Sequence, residues 1–122
     1  MRVSLVVTDD QEIREKINSV LRGLNLSVIE TSSVREAMKI LAERPEIALV
    51  VTDRVFTQKE GEWLIYSMKK EQVLSSIPVI VLGEYSGIKN IYKLLAVGVA
   101  AFVPKPFFDS YFKEYVRRYV SK

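Results

Sequence analysis

Short unbroken apolar runs alternate with stretches in which apolar residues recur every three or four positions, and the alternation is completed five times. Val3 to Thr8 reads as a first strand with Asp9 and Asp10 at its exit, since a continuous β-favouring run suits a strand covered on both faces. Ile13, Ile17, Val20 and Leu21 then recur at helical spacing as far as Gly23, the expected helix stop. Leu26 to Thr31 gives a second strand. Ser33 followed by Glu36 fits a capping box, and Val34, Ala37, Met38 and Leu41 form the apolar face of a second helix that should end before Pro45.

Ile47 to Asp53 predicts the third strand, and a loop containing Gly61 leads to a helix carrying Trp63, Leu64, Ile65 and Met68. Pro78 introduces a fourth strand, Val79 to Leu82. Gly87 to Val97 predicts a fourth helix stopped by Gly98, Ala100 to Pro104 a fifth strand, and Asp109 to Tyr119 the last helix. Right-handed crossovers between such units build an α/β fold: a doubly wound, five-stranded parallel sheet with helices on both faces. No repeat or linker-like stretch interrupts it, so residues 1–122 read as one domain.

Composition narrows the chemistry. The 122 residues contain neither cysteine nor histidine, which removes disulfides, thiolate metal sites and imidazole catalysis. The net charge of +3 comes from 18 basic and 15 acidic residues that are scattered, so no nucleic-acid footprint is expected. Without a signal-peptide pattern or a long apolar run, a cytoplasmic protein away from membranes is the expectation.

The candidate chemistry lies at strand ends, where open α/β sheets collect it. Asp53 terminates ALVVTD, Asp9 and Asp10 follow VSLVVT, and Lys105 follows AAFVP. If the strands are parallel neighbours, three acids and a lysine converge. Carboxylates in one cleft repel one another, and a hard divalent cation with an ammonium is what lets them stay ionised. Taken singly, each residue has a plainer role: Asp10 a helix cap, Lys105 a solvated loop lysine, Phe102 and Trp63 core packing.

With these strand-end residues in place, the whole chain resembles the receiver domains of two-component response regulators. The likeness is carried by the DD pair, the segment DRVFTQKEG with its acid eight residues before Gly61, the strand IPVIVL and the closing VGVAAFVPKPF. It implies a flavodoxin-like (βα)5 fold with strand order 2-1-3-4-5. Asp53 matches the aspartate that accepts a phosphoryl group from a histidine kinase, a phosphotransfer protein or a small phosphodonor such as acetyl phosphate. Asp10 matches a direct ligand of the magnesium ion (Mg2+), Asp9 an acid that reaches it through water, and the Val55 carbonyl another ligand. Lys105 matches the lysine that holds the phosphoryl oxygens, with a cis bond to Pro106, and Phe102 the switching aromatic. The implied receiver catalyses only its own phosphorylation and dephosphorylation.

The sequence departs from the family pattern at Gly83 and Glu84, where threonine or serine and then a small residue are usual. The missing hydroxyl ordinarily bonds the phosphoryl group and moves the next loop, so an atypical switch is expected. A lesser departure is Thr57, after Phe56, where many relatives carry proline. Because the chain ends with the helix that closes the fold, a stand-alone receiver is expected. It would act as a monomer or weak dimer, with output by protein binding through the face of the fourth helix, fifth strand and fifth helix. Tyr92, Val99, Tyr111 and Tyr115 are the candidates for that face. The alternative is a pseudo-receiver, an interaction module that works without phosphate, which Gly83 favours. A haloacid-dehalogenase-type phosphatase would want an acid at position 55, and a flavin site would want a phosphate loop where TDDQE stands.

Overall fold

All five residues of the first strand, β1 (Val3–Val7), are buried, as a strand sandwiched between two helical layers must be. The computed structural model describes residues 2–53, 59–72, 74–83, 95–96, 98–104 and 108–120, without the side chains of 59–63 and 108–110. Along the chain follow α1 (Gln11–Gly23), β2 (Ser27–Thr31), α2 (Val34–Glu43), β3 (Ile47–Thr52) and α3 (Lys59–Lys70). A 3-10 turn (Leu74–Ser76), β4 (Val79–Gly83), β5 (Ala101–Pro104) and a final helix (Phe108–Val120) complete it. The strands form one five-stranded sheet in the order β2-β1-β3-β4-β5, every pairing parallel. Most of the fourth helix expected over 87–97 lies outside the described residues; Leu95 and Ala96 are helical.

Strand side chains alternate between two cores. Leu5, Val7, Val50, Val79 and Val81 meet Val34, Ala37 and Leu41 of α2 and Leu64, Ile65 and Met68 of α3. Val6, Leu49, Val51, Ile80 and Leu82 meet Ile17 and Leu21 of α1 and Phe112, Val116 and Val120 of the final helix. The phase of β3 depends on an irregularity: Val3 pairs with Ile47, but Ser4 pairs with Leu49, so Ala48 is an extra residue in the ladder. Such a bulge exchanges the faces of everything that follows it. It puts Ile47 and Leu49 in opposite cores and sets where the residue after Thr52 leaves the sheet.

Local chemistry explains the helix ends and moves one of them, the stop of α1, from its expected place. Ser33 caps α2, its Oγ accepting from the Glu36 N–H at 3.2 Å. In a full capping box the Glu36 carboxylate would take the Ser33 N–H; here that N–H donates to Thr31 Oγ1 at 3.1 Å. Gly23, the expected stop of α1, is its last helical residue, and the turn is made by Asn25, whose φ is 64°. Leu26 N–H returns to the Leu21 carbonyl at 3.0 Å and Asn25 N–H to Arg22 at 3.0 Å, closing the helix with a left-handed asparagine.

Candidate functional site

Because the strands are parallel, the C-terminal ends of β1, β3, β4 and β5 all lie at one edge of the sheet. The register runs straight across it: Thr31, Val7, Thr52, Val81 and Phe102 are successive partners on the five strands. One position beyond this row stand Thr8 and Asp53, on neighbouring strands about 5 Å apart. Asp53 is 9% exposed and Thr8 fully buried, so the carboxylate at the end of β3 sits at the rim of the core.

The β1 exit is held by a set of polar contacts. Thr8 N–H continues the ladder to the Thr31 carbonyl at 3.1 Å. Its Oγ1 accepts from Asp10 N–H at 3.1 Å. Asp9 occupies the bend between strand and helix and is exposed. Asp10 is the N-cap of α1, with extended φ −89° and ψ 109°, and its Oδ1 accepts from the Ile13 N–H at 3.1 Å. A carboxylate at a helix N-terminus satisfies an open donor and meets the positive end of the helix dipole. The resemblance gave Asp10 a direct metal contact; here one of its oxygens is engaged by the helix.

Sequence reasoning passed over Arg14. Its Nη2 donates to the Thr8 carbonyl and its Nη1 to Gln11 Oε1 at 3.1 Å, while Nε lies 3.4 Å from Glu30 Oε2 on β2. Glu30 Oε1 in turn accepts from Asn18 Nδ2 at 2.9 Å. The strand-to-helix turn is thus clamped from the β2 side. No apolar period marks these residues, because their partners lie on another strand.

Gly83 is the buried last residue of β4 and pairs in register with Pro104, the last residue of β5. Lys105 itself, Val55, Glu84, Phe56, Thr57, Tyr92 and the Lys105 to Pro106 bond lie outside the described residues, as does the Trp63 side chain. Phe102 is half-buried and packs against the core beneath α2 and α3, the opposite face from Asp53 by alternation along the strands. Of the expected output face, Tyr111 is 53% exposed, Tyr115 half-buried and Val99 buried.

The donor chemistry suits a hard cation. The acids offer carboxylate oxygen, and the chain has no histidine or cysteine to favour a softer metal. Among the described residues no group of three acids is gathered closely enough to hold an ion ready-made. Magnesium does not require one, since it takes one or two carboxylates and keeps several waters. The residues present therefore fit it.

Comparison with known proteins gives one consistent result. The model of the response regulator receiver domain family matches residues 4–117. The two-component response regulator ORR5 of Oryza sativa subsp. japonica is 26% identical over 84% of this chain and 76% of its own. A chemotaxis protein CheY homolog of Campylobacter jejuni is 26% identical over 90% and 85%. Among solved structures, a response regulator receiver domain protein from Clostridium thermocellum superimposes with a TM-score of 0.85 at 21% identity, over 99% of this chain and 95% of its own. The receiver domain of a signal transduction histidine kinase from Syntrophus aciditrophicus does so with a TM-score of 0.85 at 25% identity, over 99% and 91%.

Proposed function

The chain belongs to the response regulator receiver domain family, and from that membership we propose that it accepts a phosphoryl group on Asp53 and passes the signal on by binding a protein. It is a signalling domain of the two-component type. The observation that carries the proposal is the placement of Asp53: a nearly buried carboxylate at the end of β3, beside the exit of β1 whose acids follow at once.

In the transfer, an Asp53 carboxylate oxygen attacks phosphorus in line. The bond from phosphorus to the donor atom breaks, and the donor leaves with that electron pair. The donor is the phosphohistidine of a kinase or phosphotransfer protein, or a small acyl phosphate. Such chemistry needs alignment and charge neutralisation more than covalent assistance. Mg2+, when bound, neutralises charge on the phosphoryl oxygens. Carboxylate from the β1 exit, Asp53 and the Val55 carbonyl would hold it, and Lys105 supplies an ammonium to the same oxygens. Losing one such electrostatic contact commonly raises the barrier by about 3 to 4 kcal/mol.

Gly83 makes the conformational response unusual. A hydroxyl there would give a charge-assisted hydrogen bond of roughly 1.5 to 3 kcal/mol. A full population reversal needs about 5.5 kcal/mol of differential binding. Phosphorylation without that hydroxyl leaves a partial switch, read out at the surface flanking β5, where Leu95 and Tyr111 are exposed.

Incubation with Mg2+ and acetyl phosphate, followed by intact mass measurement, tests the proposal. One phosphoryl adduct is expected on the wild type and none on Asp53→Asn. A wild type without adduct sinks it in favour of a module that binds partners without phosphate, the alternative that Gly83 favours.

A further inference from the structure

We infer that the sheet edge opposite Asp53 carries a binding site for a small amphipathic anion, a carboxylate on a compact apolar body, held between Arg2 and Arg117. The inference goes beyond the phosphoacceptor reading and does not rest on it.

Three segments far apart in the chain meet at this edge: the residue before β1, the turn after α1 and the end of the final helix. They enclose a half-open pocket of about 250 Å3. Its floor is Leu26, Val116 and Val120, each at most 7% exposed, with Leu24 half-buried beside them. Val116 and Val120 stand one turn apart on the same helix face. The left-handed Asn25 turns the chain so that Leu24 and Leu26 both reach the pocket. Arg2, Asn25 and Arg117 form its exposed rim. The length of β1 with its flanking residues separates this rim from the edge of Asp53 by about 20 Å.

Both charged residues on the pocket are arginines, and among its described lining residues none is an acid. Like charges held over one cavity repel, and an anion between them turns repulsion into attraction. Arginine presents a planar fork of N–H donors that fits a carboxylate, and the Asn25 amide adds donors at the same rim. The aliphatic floor selects a ligand with a hydrocarbon part over a bare inorganic anion, because covering it removes apolar surface from water. The volume lies just below the range of drug-sized ligands, which keeps the body small.

The surroundings do not cancel this charge. Arg117 Nη1 lies 3.5 Å from Glu114 Oε1, but both side chains are more than half exposed, and a pair of that kind contributes little. The negative end of α1 would oppose an anion if its carbonyls were bare. They are not: the Leu21 carbonyl accepts from the N–H groups of Leu24 and Leu26 at 3.1 and 3.0 Å, and the Arg22 carbonyl from that of Asn25 at 3.0 Å. The final helix carries Arg117 and Arg118 in its own last turn.

The test is a heteronuclear NMR titration of the full chain with phenylbutyrate, its primary amide and inorganic phosphate. Phenylbutyrate should give saturable shifts at the backbone amides of Leu24, Leu26, Val116 and Val120, and the amide and phosphate should each bind about tenfold more weakly. Arg2→Gln and Arg117→Gln should each weaken phenylbutyrate by about fivefold to tenfold. Arg118→Gln removes the same charge from a residue outside the lining, one that lies over the Tyr115 ring, and should stay within about twofold of wild type. No saturable shift in the wild type, equal binding of the amide or of phosphate, or an equal loss in Arg118→Gln overturns the site. Phosphoryl loading of Asp53 is read separately by intact mass, so either reading can fail while the other stands.

Discussion

The Tyr119 hydroxyl donates a hydrogen bond of 2.9 Å to the Ala100 carbonyl. It ties the last turn of the final helix to the residue that precedes β5, the strand whose far end leads to Lys105. Ala100 N–H is meanwhile bonded to the Val79 carbonyl at 2.9 Å, so both polar groups of its backbone are occupied. Tyr119→Phe keeps the ring and removes only the donor. It should destabilise the chain by about 1 kcal/mol, a fall of roughly 3 to 6 °C in melting temperature, with an unchanged urea m-value.

Gly98 has a φ of +100°, and a Cβ added there would stand 3.0 Å from Lys69 Cε. Lysine is flexible and can withdraw, whereas the backbone angle cannot change without moving the entry to β5. Gly98→Ala should therefore cost about 1 to 3 kcal/mol through backbone strain. Shortening the neighbour with Lys69→Ala should not rescue it: in a double-mutant cycle by urea denaturation the coupling should stay within about 0.5 kcal/mol.

Lys69 itself gives stability a pH dependence. Burial disfavours its charged form and lowers its pKa from 10.5, while Nζ donates to the Ser75 carbonyl at 3.1 Å. Between the depressed folded value and the ordinary one, the unfolded chain binds more protons than the folded chain. Stability contributed by this group therefore rises with pH through that window. The difference in unfolding free energy between wild type and Lys69→Met should grow in favour of wild type as pH climbs through the alkaline range. A flat difference would remove Lys69 as the cause.

At the end of β4, Gly83→Thr restores the hydroxyl that the family usually carries. An added phosphoryl contact of roughly 1.5 to 3 kcal/mol should enlarge the structural response to phosphorylation. With beryllofluoride as the phosphoryl mimic and Mg2+ present, the change in Trp63 fluorescence or near-UV dichroism should be greater in the variant. No increase would mean that the Gly83 backbone already serves the phosphoryl group.

Much of this protein is legible along the chain. The period of apolar residues determined five strands and the helices between them, because a buried strand and an amphipathic helix each need a distinct local pattern. Ser33, Pro45 and Pro78 marked element ends through bonds made within a few residues. The strand-end positions of Asp53 and of the Asp9 and Asp10 pair follow from the same pattern, since parallel strands put all such ends at one edge.

Tertiary structure decided the rest. Ala48 reads as one more apolar residue, yet its bulge against β1 sets which residue emerges beside Thr8. The sequence offered Asp10 both a helix-capping and a metal-binding role; the fold shows the cap made, its Oδ1 accepting from the Ile13 N–H. Phe102 is an aromatic in a strand until its partners place it in the core beneath α2 and α3. Arg14 is one more helical cation until folding brings Glu30 and the Thr8 carbonyl to it. Local pattern fixes what each segment becomes, while strand register, which depends on residues far apart in the chain, fixes which side chains meet.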